Sequence, residues 1–222
     1  FLGIEEKTRR EPEIENVDVT VFDESKGEKA VDVIPKMMMR QPDVFVVPHV
    51  SDKETFDLLC EITENEGKVI ITSTRAKSAA EALLKLLGAA STKAAFTQHV
   101  NLVVNMRLVR RLCEGCKMPF QPTVQVLHQL QLPPEAATLY QEYHPPPVDP
   151  NAPKNKQDLP PPICPRCGGM GYRGRIGMFE MLIVDDNIRQ ALGQQPSADI
   201  VQQLAVKAGM VTLREEGIAL LA

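Results

Sequence analysis

Two Cys-x-x-Cys pairs, Cys113/Cys116 and Cys164/Cys167, are the residues whose type and spacing most directly encode chemistry in this chain. They sit in knuckle-like surroundings, Leu-Cys-Glu-Gly-Cys-Lys and Cys-Pro-Arg-Cys-Gly-Gly. A two-residue spacer lets both thiolates of one turn reach a single metal ion. Two such turns complete a tetrahedral shell with Zn–S distances of about 2.3 Å. Four sulfurs leave no position for water, so the expected ion is a structural zinc. The competing readings of the same residues are a pair of disulfides or unrelated free thiols. The fifth cysteine, Cys60, lies in an apolar helical stretch and reads as a small core residue.

Other polar residues carry weaker signals. His49 follows an apolar run and is either a base in need of a partner and substrate or a loop histidine at a strand end. Arg75 and Lys77 are either phosphate contacts or solvated loop charges. Arg107, Arg110 and Arg111 precede the first knuckle, spaced as on successive helical turns. They could reach a neighbouring subunit's nucleotide or pair with acids across a subunit interface. Arg173 and Arg175, between glycines, are expected to brace the zinc lobe. The run Met37-Met38-Met39 reads as core or interface filler.

Bulk properties narrow the setting. A net charge of −4 and a pI near 5.7 offer nothing general to a polyanion, so no nucleic-acid partner is expected. The apolar runs are far too short to span a bilayer, and no signal-peptide pattern opens the chain. A cytoplasmic, reducing location is expected, which favours zinc over disulfides. The chain begins Phe-Leu-Gly and is read as a piece of something longer.

The elements that must position these residues fall in a clear order. Residues 17–22 alternate apolar and polar, as a half-buried strand does. Residues 27–41 follow helical spacing with Pro35 as an awkward interior residue. Residues 43–47 and 68–72 read as buried strands, and the stretch after Asp52 up to 65–67 as a helix. Residues 76–87 form an alanine- and leucine-rich helix closed by Gly88. This strand–helix alternation predicts an α/β fold with a parallel sheet covered by helices. Residues 93–112 read as another long helix and 123–143 as a helix broken at Pro133 and Pro134. Residues 144–162 read as a proline-rich exposed insert. The glycines of 171–180 suggest tight turns around the metal. Helices are expected again at 185–192 and, with Ser197 as N-cap, up to residue 208. A last helix starts near residue 211.

The order and wording of these segments resemble the ATPases of type II secretion and type IV pilus assembly. The matching pieces are Arg40-Gln-Pro-Asp-Val44, Asp52 with Glu54-Thr55, residues 107–113, the second knuckle 164–167, residues 171–180 and residues 209–217. The similarity covers nearly the whole chain. It implies a RecA-like core at residues 1–105 that lacks the P-loop, a tetracysteine zinc subdomain at 106–180 containing the insert 144–162, and a C-terminal helical region at 181–222. It also implies a homo-oligomer (a hexamer in the family) that works at an inner-membrane platform of the secretion or pilus machinery. ATP and Mg²⁺ are its cofactors, with Arg75, Arg107 and Arg110 as nucleotide-binding candidates.

Departures from the family pattern matter as much. No G-x-x-x-x-G-K-[ST] phosphate-binding loop occurs; in the family it lies upstream of Ile4-Glu5-Glu6. Glu5 matches the acidic residue that prepares the attacking water. Where the family has Gly-Glu-x-Arg-Asp, this chain has Pro48-His49-Val50-Ser51-Asp52, which replaces a carboxylate near magnesium. Where the family has a γ-phosphate-sensing histidine, it has Arg75. Loss of catalytic groups with retention of the scaffold is the pattern of a pseudo-ATPase. The alternative is a zinc-stabilised protein-binding module without catalysis, since Cys164 to Gly174 also resembles the zinc repeats of Hsp40-type chaperones. A zinc-ribbon nucleic-acid binder suits the acidic balance poorly.

Overall fold

The computed structural model describes residues 1–10, 12–50, 52–91, 93–132, 138–143 and 163–221. The predicted insert 144–162 and the break at Pro133 and Pro134 lie outside them. The chain divides into two compact units, Phe1–Asn105 with Met181–Met210, and Met106–Glu180 with Val211–Ala222.

The first unit is built on a parallel sheet of β1 (Leu2–Glu6), β2 (Asp18–Phe22), β3 (Val44–Val47) and β4 (Val69–Thr72), in the order β2-β1-β3-β4. Leu2 lies opposite both Asp18 and Phe45, and Val44 opposite Val69. Alternation sends Ile4, Phe45 and Val47 to one face. There they meet Ile34, Met37 and Met38 of α1 (Ala30–Met38) and Leu59 and Ile62 of α2 (Lys53–Glu66). Asp52 starts α2 by accepting from the Thr55 amide at 2.7 Å, and Gly67 ends it in the left-handed region. Pro35 is accommodated inside α1.

A second core lies among helices α3 (Ala79–Ala89), α4 (Lys93–His99), α6 (Asp186–Leu192) and α7 (Ala198–Lys207). Leu83, Ile188 and Val201 are fully buried there, and the Phe56 and Phe96 rings stack obliquely at 5.4 Å. The Arg189 guanidinium donates to the carbonyls of Thr97 and Gln98 and to Asn101 Oδ1, satisfying carbonyls that the end of α4 leaves open. Ser78, Asp185 and Ser197 cap α3, α6 and α7. Ser197 is the predicted N-cap.

The second unit contains β6 (Met118–Phe120), α5 (Val124–Leu130), β7 (Leu139–Gln141) and α8 (Leu213–Ala219). β6 and β7 pair antiparallel, with Phe120 opposite Leu139. Thr212 and Glu215 form a reciprocal capping box at the start of α8. Two long strands, β5 (Leu102–Leu112) and β8 (Tyr172–Ile183), pair with each other. The bonds Val184 N–H to Asn101 O and Cys113 N–H to Gly171 O fix an antiparallel sense.

Several sequence expectations change. Residues 93–112 are not one helix: α4 ends at His99 and the rest is strand. The run Leu102-Val-Val-Asn-Met-Arg-Leu-Val-Arg-Arg satisfies helical and alternating spacing alike, and a partner strand about seventy residues away decides between them. The arginines therefore lie on a strand, where Arg107 and Arg111 share a face and Arg110 takes the other. Residues 171–180 belong mainly to β8 rather than to turns. In 123–143 only α5 is helical among the described residues, and β7 follows. Gly88 lies inside α3 rather than closing it. β4 is an edge strand whose Val69 and Ile71 are about half exposed, not a strand buried on both faces.

Candidate functional site

The two knuckles come together although 51 residues separate their matching members. In the first, the Cys116 and Lys117 amides turn back to the Cys113 carbonyl at 3.1 and 2.8 Å. In the second, the Gly168 amide returns to the Cys164 carbonyl at 2.9 Å, with Gly168 at φ 62°, a conformation that favours glycine. The Cys113 amide bonds to the Gly171 carbonyl at 2.9 Å and ties the two turns together. Gly115 allows a close approach: a Cβ there would lie 2.8 Å from Cδ of Arg166.

The result is a cluster in which all four sulfurs lie within 4.8 Å of one another. Cys113 Sγ is 3.9 Å from Cys164 Sγ, and Cys116 Sγ is 3.7 Å from Cys167 Sγ. A tetrahedron with metal–sulfur bonds of about 2.3 Å has edges of about 3.8 Å, so these spacings suit a tetrahedral ion. They are far beyond the roughly 2.05 Å of a disulfide, and all five cysteines are free. The donor set therefore fits a thiophilic metal.

The thiols are not equivalent. Burial pushes Cys116 up to about 12, and its sulfur neighbours act in the same sense. Burial also opposes ionisation of Cys167, but the backbone amides of Gly171 and Gly169 and the thiols of Cys116 and Cys164 outweigh it and bring the group down to about 7. Amides directed at sulfur favour the thiolate that a metal requires. Around the cluster, Arg110 stacks over the Tyr172 ring at 3.9 Å and Lys117 over Tyr140 at 4.3 Å. Glu142 accepts from the Tyr172 hydroxyl and raises its pKa. Glu114 bridges Lys117 at 2.6 Å and Arg111 at 3.8 Å.

The second location is the carboxyl edge of the parallel sheet. In the order β2-β1-β3-β4 the chain leaves β1 to one side and returns on the other, and the crevice between β1 and β3 is where such sheets receive ligands. A small cavity of about 30 Å³ opens there beside Glu5, Glu6, Arg9, Pro48, His49 and Asp52. Glu5 is 8% exposed, and Arg10 Nε stands 3.8 Å from its Oε2. His49 adopts φ 57°, and its amide donates to Ser73 Oγ at 3.4 Å.

Of the sequence-predicted residues, Glu5 and His49 meet at this edge. Arg75 is not among the cavity-lining residues; it is exposed after β4, and its carbonyl accepts from Lys85 Nζ at 3.0 Å. Arg107 and Arg110 belong to the second unit. Arg9 and Arg10 were missed by sequence reasoning. The signal was present as the charged run Glu5-Glu-Lys-Thr-Arg-Arg10, but it means little until Leu2–Glu6 is known to be a central strand.

Comparison with known proteins follows this geometry. A family profile described as "Type II/IV secretion system protein" matches residues 6–222. The type IV pilus assembly ATPase PilB of Thermus thermophilus is 29% identical over 211 residues, covering 94% of this chain and 22% of the relative. Type II secretion system protein E of Klebsiella pneumoniae is 28% identical over 182 residues, covering 82% and 32% respectively. The chain thus spans roughly a quarter to a third of these relatives. Among solved structures, the pilus retraction motor PilT with bound ADP aligns with a TM-score of 0.51 at 12% identity, over 97% of this chain and 50% of that one. The Yersinia pseudotuberculosis ATPase DotB aligns at 0.52 and 10% identity, over 93% and 42%. These two likenesses concern the fold alone.

Proposed function

This chain belongs to the type II/IV secretion system protein family, and from that premise we propose that it is the C-terminal part of a secretion- or pilus-assembly ATPase whose altered catalytic positions make it a pseudo-ATPase. The observation that carries the reading is His49 at the β1–β3 crevice. The family resemblance puts a carboxylate near magnesium at that position, and here an imidazole stands across from a Glu5 already approached by Arg10. An imidazole supplies no negative charge to hold Mg²⁺. Arg75 in place of the phosphate-sensing histidine supports the same conclusion.

In this reading residues 1–105 are a RecA-like core without its P-loop, 106–180 a zinc lobe and 181–222 a C-terminal helical region. Zinc held by Cys113, Cys116, Cys164 and Cys167 stabilises the lobe and does no chemistry. The protein is cytoplasmic, homo-oligomeric and bound to an inner-membrane platform. Consistent with that, among the described residues no helix is long and apolar enough to cross a membrane.

Titration of the chain with a fluorescent ATP analogue tests the first part, and the expected result is no saturable micromolar binding. Saturable binding by this chain would overturn it. In the full-length protein, His49→Glu is expected to raise ATP turnover above the parent if the loss at this position is what limits it. Unchanged turnover in a protein that carries a P-loop shifts the cause to the Arg75 position. Metal analysis is expected to find one zinc per chain.

A further inference from the structure

Glu142 joins the two cysteine turns without being one of the four sulfur ligands. It directly follows β7, which is paired with β6, and β6 begins two residues after Cys116. Met118 lies opposite Gln141 in that ladder, which brings the chain at Glu142 back to the first turn. Lys117 lies over the Tyr140 ring and meets Glu114 at 2.6 Å, a side-chain link between the same two segments. Glu142 is thus carried by the chain of the first turn.

Its contacts are with the second. The carboxylate accepts from the Tyr172 hydroxyl, and its Cβ stands over Gly171, where an added Cβ would lie only 3.1 Å away. The peptide groups of Gly171 serve both turns. Its amide is directed at the Cys167 sulfur, and its carbonyl accepts from the Cys113 amide at 2.9 Å. At φ 74° and with Glu142 above it, this position takes only glycine without strain. Arg110 stacks on the Tyr172 ring at 3.9 Å and holds it by its face while Glu142 holds the hydroxyl.

A metal ion leaves a four-sulfur site as a competing ligand replaces the sulfurs one after another, with one turn lifting from the other. Bonds between the turns that do not pass through the ion oppose that lifting. The structure shows two, the backbone bond from Cys113 to Gly171 and the side-chain bond from Tyr172 to Glu142. Groups that orient ligands in this way commonly change metal binding by about 10–100-fold when removed.

We propose that Glu142 and Tyr172 form a clasp that closes the two cysteine turns on each other and sets how long the metal is retained. Glu142 is a positioning residue, acting through Tyr172 and Gly171 rather than on the ion. The inference rests on the metal reading above and deepens it, from which atoms hold the ion to what keeps them together.

The test loads the chain with Co²⁺, whose thiolate charge-transfer bands report the four-sulfur shell, and follows loss of those bands to excess EDTA at fixed pH. Glu142→Ala and Tyr172→Phe are each expected to speed release about tenfold or more with the starting spectrum unchanged. The double variant is expected to be no faster than either single one, because both remove the same bond. Glu142→Gln keeps an acceptor and is expected to stay within about threefold of wild type. Thr212→Ala, which weakens the α8 cap of the same unit, is expected to leave release within about twofold of wild type. Should Glu142→Ala fail to load, Tyr172→Phe and Glu142→Gln decide between them. A wild-type chain that takes up no Co²⁺ overturns the metal reading and the clasp together. Normal loading with release unchanged in Tyr172→Phe, multiplied effects in the double variant, or equal acceleration by Thr212→Ala overturns the clasp alone.

Discussion

The cysteine cluster and the carboxyl edge of the sheet both lie at the ends of regular elements, yet they are complete to different degrees. Four sulfurs converge at spacings of 3.7 and 3.9 Å along two edges of the cluster, and backbone amides favour the thiolate on one of them. At the sheet edge the buried carboxylate of Glu5 is approached by Arg10 at 3.8 Å beside a cavity of only about 30 Å³. A site whose donors come in two local turns needs only those turns to meet. A phosphate site needs a loop, a carboxylate and a metal placed by separate elements, and changing one position leaves the others without purpose.

The largest effect is expected from breaking the complete site. Cys113→Ser or Cys167→Ser should release the metal and unfold the second unit, because metal binding and folding of such a lobe are one equilibrium worth about 10–16 kcal/mol in zinc-finger peptides. Metal content and amide exchange check this: protection should vanish around residues 113–118 while Ile4 and Phe45 keep theirs. Loss of protection throughout the sheet would show that the contrast between the regions is wrong.

Next comes a packing change confined to the first unit. Leu83→Ala, at a fully buried position in the helical core, should cost about 2–5 kcal/mol in denaturant unfolding and leave metal content unchanged. Arg189→Ala should cost about 1.5–3 kcal/mol by withdrawing a charged donor from the end of α4. Increased exchange at residues 97–101 is the signature that separates it from a general loss of stability. In the second unit, Thr212→Ala removes the capping box and should cost about 1 kcal/mol, read as fraying of α8.

The smallest effect is a pH dependence at the sheet edge. Asp23 is held down at about 2, from an ordinary 3.8, by the Ser25 hydroxyl at 2.5 Å and the Lys7 ammonium at 2.9 Å. A depressed carboxyl stabilises the fold at pH above its unfolded value. That contribution is lost as pH falls from about 4 through about 2. Following the Asp23 carboxyl by NMR should place its midpoint near 2, and Ser25→Ala should move it upward.

Much of the first unit was legible because local patterns and neighbours agree there. Alternation marked residues 17–22, the apolar runs marked β3 and β4, and Ser197 announced α7. β1 was less legible as a strand, since Leu2–Glu6 is central only because β2 and β3 flank it. The antiparallel pair was misread for the same reason: neither β5 nor β8 has an identity apart from the other. At the candidate sites the cysteine spacing was sufficient to propose a common ligand set. Arg9 and Arg10 drew no attention, because their place depends on where the first strand ends.

The amino-acid order alone determined the two thiol turns, the alternation of strands and helices, and the wording that marks the family, because each is written in residues close together along the chain. Only the tertiary structure brought the two turns into one cluster and split the arginines between opposite faces of a strand. It alone also set Glu5 and His49 at a common crevice. Those outcomes depend on pairings between segments tens of residues apart, where the energy lies in contacts that no single stretch of sequence contains.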